Sequence, residues 1–104
     1  MTRDQQVFEM IRDTIAGFAD ELQGYAVFLF GSRADGTMCA RSDFDIGVLG
    51  EGPLPVGLFS RIADRLDELP TLYRIDWVDL ATVSERFRAE ALRRRVRIHG
   101  VVPP

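Results

Sequence analysis

Residues 29–49 read LFGSRADGTMCARSDFDIGVL. An apolar run ends at Gly31-Ser32, a polar loop with a glycine follows, and a second apolar run carries Asp43 and Asp45 with only Phe44 between them. Side chains alternate along a strand, so Asp43 and Asp45 share one face while Phe44 and Ile46 take the other. Their backbones then lie roughly 6 to 7 Å apart. Two anions that close repel, and partial burial sharpens the repulsion. Two outcomes are open: the pair faces solvent at the start of a strand, or a hard divalent cation makes it favourable. Oxygen-only ligands suit magnesium or manganese.

A third carboxylate lies in a later β-rich stretch, LYRIDWVDL (72–80), where Asp76 stands between Ile75 and Trp77. If that strand lies beside the second, Asp76 points to the same face as Asp43 and Asp45. Three carboxylates from two adjacent strands form the oxygen cage of a two-metal phosphoryl-transfer site, with metals about 3.5 to 4 Å apart. Asp79, three residues on, points to the opposite face and reads as a cap or turn residue. At the end of the first strand, Gly31 lets backbone N–H groups approach a phosphate and Ser32 adds a hydroxyl donor. Arg33 and Arg41 flank this turn and could neutralise phosphate charge, or equally be surface arginines.

The surrounding pattern gives the frame. Apolar residues from Val7 to Leu22 recur at helical spacing, predicting a helix over 5 to about 23 that stops at Gly24. YAVFLF (25–30) and DFDIGVL (43–49) are strands, 50–55 is turn chemistry, and 56–69 is an amphipathic helix ended by Pro70. After the 72–80 strand, TVSE (82–85) matches a capping box, predicting a helix from about Val83 to Arg95. VRIHGVV suits a short final strand. The expected fold class is α/β (α+β): one domain over 1–104, a small mixed sheet with helices packed on it.

Composition narrows the function. The net charge is −3, so there is no global basic footprint for nucleic acid. No apolar run approaches the roughly 18 to 20 residues of a membrane span, and the charged N-terminus lacks the order of a signal peptide. The single cysteine, Cys39, has no partner for an internal disulfide. A cytoplasmic chain is expected. All 13 cations are arginine, four of them clustered in ALRRRVRIHG (91–100). That cluster reads either as a solvated helix end set against the helix dipole or as a docking patch for an acidic partner or a nucleotide. His99, Tyr25 and Tyr73 read as edge or packing residues, and Trp77 should face the core opposite Asp76.

Together these pieces resemble the polymerase-beta-like nucleotidyltransferase superfamily. Gly31-Ser32, ten residues, then Asp43-Phe44-Asp45 is similar to the G-S-x10-D-x-D signature, and YRIDWVDL to the strand supplying the third carboxylate. The small size resembles the minimal nucleotidyltransferases, the MNT proteins, known as antitoxins encoded beside HEPN-domain ribonuclease toxins. By position, the resemblance implies that Gly31 and Ser32 hold the triphosphate, that Asp43 and Asp45 bind Mg2+ (or Mn2+), and that Asp76 completes the cage and helps deprotonate the acceptor. Arg33 and Ser42 are its further nucleotide-contact candidates. Its implied reaction is transfer of AMP from ATP to a tyrosine hydroxyl of a HEPN toxin, with no direct nucleic-acid or membrane partner. One departure is that Asp35 stands in GSRADG where many members carry arginine. With nothing expected beyond the catalytic core, the acceptor site must come largely from a partner. Two other readings stand beside this one: a non-catalytic antitoxin that neutralises its partner by complex formation, and a small-molecule (aminoglycoside-type) nucleotidyltransferase.

Overall fold

The computed structural model describes residues 2–31 and 43–101. Along the chain run α1 (Arg3–Ala16), β1 (Ala26–Phe30), β2 (Phe44–Leu49), α2 (Val56–Asp67), β3 (Ile75–Asp79), α3 (Glu85–Arg93) and β4 (Val96–His99). The four strands form one sheet in the order β3-β2-β1-β4. β1 pairs antiparallel with β2 and with β4, while β2 and β3 run parallel, so the sheet is mixed as expected. No helix among the described residues is long and apolar enough to cross a membrane.

Alternation decides which side chains meet which helices. Val27 and Leu29 of β1 and Phe44, Ile46 and Val48 of β2 face α1 and α2, where Val7, Ile11, Ile15, Leu58, Ile62 and Leu66 close the main core. Each of these is nearly or fully buried, and full burial of such a side chain contributes about 1.5 to 3 kcal/mol. The opposite face is smaller. There Ala26, Phe28 and Phe30 pack with Leu80 and with Ala91 of α3. Asp45 and Asp76 belong to that second face, because their neighbours Phe44, Ile46, Ile75 and Trp77 all pack on the first. Trp77 stacks on Phe59, with ring centroids 5.4 Å apart, and its indole N–H donates to the Phe59 carbonyl at 3.2 Å.

Two local expectations change. The first helix ends at Ala16, not near residue 23. Gly17 costs about 1 kcal/mol against alanine inside a helix. Beyond it the chain tightens into i+3 turns, Phe18 N–H to Ile15 O and Ala19 N–H to Ala16 O, which still deliver Leu22 to the core. Gly24, at φ +86°, closes this stretch. The capping box forms at Thr2 and Gln5, whose side chains each accept from the other's backbone N–H, and not at Thr82 and Glu85. The last helix is capped by Ser84, which accepts from Phe87 N–H, because the Thr82 hydroxyl donates to the Asp79 carbonyl at 2.8 Å. The final strand is the edge strand β4, where His99 Nε2 lies 3.2 Å from the Leu22 carbonyl oxygen.

Asp79 is the last residue of β3, on the face opposite Asp76, and its carboxylate opens the turn that follows. Its carboxylate accepts from Leu54 N–H at 2.8 Å and from Ala81 N–H at 3.0 Å, tying the β2–α2 connection to the end of β3. Asp79→Ala leaves the buried Leu54 N–H without its acceptor. The expected loss is about 2 to 3 kcal/mol of unfolding free energy, read by urea denaturation. A loss under about 0.5 kcal/mol would show that this tie does not hold the connection.

Candidate active site

The carboxylates are positioned by register. β2 lies between β1 and β3, and Asp45 is the Cα partner of Phe30 on one side and of Asp76 on the other. In a parallel pair such partners put their side chains on the same face. Asp45 thus sits between an aromatic ring and a second carboxylate. Gly31 follows directly on Phe30 and takes φ +80°. That conformation favours glycine, and so does the space, because a Cβ there would overlap Asp45 Oδ2. The glycine turn and the carboxylate are one packed unit.

Electrostatics follow from this crowding. Burial raises the Asp45 pKa from its ordinary 3.8 to about 6. The charges of Asp76 and then Asp43 add to the rise, as does hydrogen bonding with Asp76, while Arg74 pulls it down. Arg74 Nε donates to Asp76 Oδ1 at 2.9 Å from a largely exposed position. Asp43 stands just before β2, where Phe44 N–H donates to the Arg74 carbonyl at 2.9 Å. The expected cage is therefore partly gathered: Asp45 and Asp76 are adjacent, with Asp43 near enough to act on Asp45 by charge. Among the described residues no group of three His, Cys, Asp or Glu side chains closes on one point. Ser32, Arg33 and Ser42, with Asp35, Cys39 and Arg41, lie outside the described residues. Arg74 is absent from the sequence expectations, although R-I-D places it on the face of Asp76 by simple alternation.

The donor set tests the expected metal. Two adjacent carboxylates, one with its pKa raised by burial and by its anionic neighbours, offer hard oxygen ligands and favour a divalent cation such as Mg2+. The residues present fit it. A cleft adjoins the same unit, running from Phe30 and Gly31 to Phe87, Glu90 and Arg93 of α3 and to Arg94 just past its end, with a volume of about 480 Å³.

The family model described as Polymerase beta, Nucleotidyltransferase matches residues 14–100. A Haemophilus influenzae protein described as a probable protein adenylyltransferase, MntA, is 38% identical over 64 residues, 62% of this chain and 56% of that protein. The chain thus spans little more than half the length of this curated relative. A toxin–antitoxin crystal structure with AMP-PNP matches 86% of this chain and 73% of its own, at TM-score 0.59 and 26% identity. A tri-AMPylated Shewanella oneidensis HEPN toxin in complex with MNT antitoxin matches in fold over 89% of this chain and 72% of that one, at TM-score 0.56 and 22% identity.

The raised pKa of Asp45 fixes the sign of a pH effect. Between about pH 4 and pH 6 the folded state holds a proton that the unfolded state has lost, so this group's contribution to stability falls as pH rises through that window. Above it, the ionised carboxylate is a standing cost. Asp45→Asn removes the charge and keeps the shape. The variant is expected to be more stable than the parent at pH 7.5 by roughly 1 to 2 kcal/mol after solvent screening, with the gain vanishing near pH 4. Thermal melts in metal-free buffer across that range read it. An equal difference at both pH values would mean that Asp45 is not crowded by its neighbours.

Proposed function

Because the chain belongs to the polymerase beta, nucleotidyltransferase family, we propose that it transfers AMP from ATP to a tyrosine hydroxyl of a HEPN-type toxin, as the antitoxin of a toxin–antitoxin pair. The observation that best supports this is the register pairing of Asp45 with Asp76, with Gly31 packed against Asp45. A nucleotidyl transfer needs carboxylates and a phosphate-approachable backbone within one small volume. These residues supply both.

The step is a substitution at the α-phosphorus. The acceptor O–H loses its proton, its oxygen forms the new O–P bond, and the bond to the β-phosphate oxygen breaks, releasing pyrophosphate. Asp43, Asp45 and Asp76 would hold Mg2+ or Mn2+, which when bound neutralises the carboxylates and polarises the phosphate oxygens. Asp76, paired with Arg74, would help take the acceptor proton. Gly31, and Ser32 beside it in the sequence, would present donors to the phosphates. Most of the rate gain then comes from positioning and preorganised charge. The use of ATP and the single cysteine suit a cytoplasmic chain, with all of 1–104 acting as one catalytic domain. The likeness to a toxin–antitoxin structure with AMP-PNP and to a curated protein adenylyltransferase supports both nucleotide and partner.

Incubation of the purified chain with Mg2+, α-labelled ATP and the product of the adjacent gene tests this. The expected result is label on the partner, abolished by Asp43→Asn with Asp45→Asn. Label that persists in the double variant would remove the catalytic role. Silencing of the partner without label would make the chain a binding antitoxin instead.

A further inference from the structure

Among the described arginines, Arg12 pairs with Glu9, Arg61 with Glu21 and Arg93 with Glu90, each between exposed side chains. Arg88, Arg95 and Arg97 donate to the backbone carbonyls of Leu80, Leu92 and Gly100. Arg74 differs from both groups. Its partner is Asp76, a carboxylate of the candidate site, reached from Nε at 2.9 Å.

The backbone of Arg74 is fixed among the three carboxylates. Phe44, next in the chain after Asp43, donates its N–H to the Arg74 carbonyl at 2.9 Å. Two residues beyond Arg74, Asp76 is the register partner of Asp45. The charge of Arg74 acts on Asp45 as well as on Asp76. The side chain, in contrast, is held lightly. It is 75% exposed, against 32% for Asp76. It reaches Asp76 through one N–H, not through the two parallel bonds that make an arginine–carboxylate contact strong. Beside it a cleft of about 340 Å³ runs along β3, with Asp67 of α2 on its wall.

We infer that Arg74 is the built-in counter-cation of this site: it neutralises Asp76 while no metal is bound, and a divalent cation binds at its expense. This rests on the reading above that Asp43, Asp45 and Asp76 take Mg2+ or Mn2+. Two carboxylates held in fixed register need opposite charge. An exposed guanidinium supplies it weakly and reversibly, as surface ion pairs do. A metal ion on the same carboxylates is repelled by that guanidinium, so Arg74 lowers metal affinity instead of building the metal site. A positioning residue that turned Asp76 toward the metal would have the opposite effect.

The sign is read by calorimetric titration of the full chain with Mn2+, for the parent, Arg74→Gln and Arg74→Lys, and by thermal melts in metal-free and Mn2+-saturated buffer. Arg74→Gln should bind Mn2+ about 3- to 10-fold more tightly, while Arg74→Lys, which keeps the charge, should stay within about 2-fold of the parent. Without metal, Arg74→Gln should melt below the parent; with Mn2+ saturating, that gap should close or reverse. In an Asp76→Asn background, Arg74→Gln should lower the metal-free melting temperature less than it does in the parent. Weaker Mn2+ binding by Arg74→Gln would make Arg74 a positioning residue, and unchanged binding would make it an ordinary surface pair. Either result overturns the inference, and leaves the function standing where Asp43→Asn with Asp45→Asn still abolishes transfer. A parent chain that binds no Mn2+ and transfers no AMP overturns both.

Discussion

One carboxylate held in an inner strand organises the second face of the sheet. Asp45 cannot move away from Asp76, because the parallel β2–β3 ladder fixes their register, and on the side of Phe30 it lies against Gly31, where an added Cβ would overlap it. Asp79 makes the contrast. It is also a strand carboxylate and more deeply buried, yet two backbone N–H groups meet it. The difference lies in the donors. Asp79 is satisfied by the chain and serves the fold; Asp45, among the described residues, is met mostly by other anions, with Arg74 as the opposing charge. Stability is given up at one position and kept at the other, as expected where a fold carries a function.

The two faces divide the labour. α1 and α2 seal one side with residues that are almost wholly buried, and that core tolerates the repulsion opposite. On the other side α3 covers only the part of the sheet near Phe28, Phe30 and Leu80. The carboxylates lie beyond this small cluster, so the sheet face is apolar under α3 and anionic next to it. That boundary is where the cleft opens. A longer or more apolar α3 would bury the boundary and remove access to Asp45.

Much of this was legible in the sequence. Alternation alone assigns Phe44, Ile46, Ile75 and Trp77 to one face and Asp45 and Asp76 to the other, and the core packing agrees. Register was not legible. A slip of two residues between β2 and β3 keeps every side chain on its face and still separates Asp45 from Asp76 by a residue pair. Helix ends also escaped, because Gly17 interrupts a periodicity that continues through Leu22, and because Thr82 and Ser84 compete for one cap. The pattern of α3 names an arginine-rich helix end without saying which arginines turn back to the backbone. That is decided by local backbone geometry, since the Leu92 and Gly100 carbonyls each lie three residues from the arginine that donates to them.

Charge sets the range over which a nucleotide can be recognised. A chain with a net charge of −3 does not draw a polyanion from afar, and screening erases most exposed effects beyond about 8 Å at physiological salt. Recognition must therefore be local, which requires cations concentrated rather than spread. Four of the 13 arginines fall between residues 93 and 97. Of these, Arg93 lies in the last turn of α3, where the helix dipole favours a cation, while Arg97 belongs to β4. A helix end that favours positive charge, set beside a glycine turn packed against a crowded carboxylate, brings cationic and anionic groups together at one edge of the sheet face.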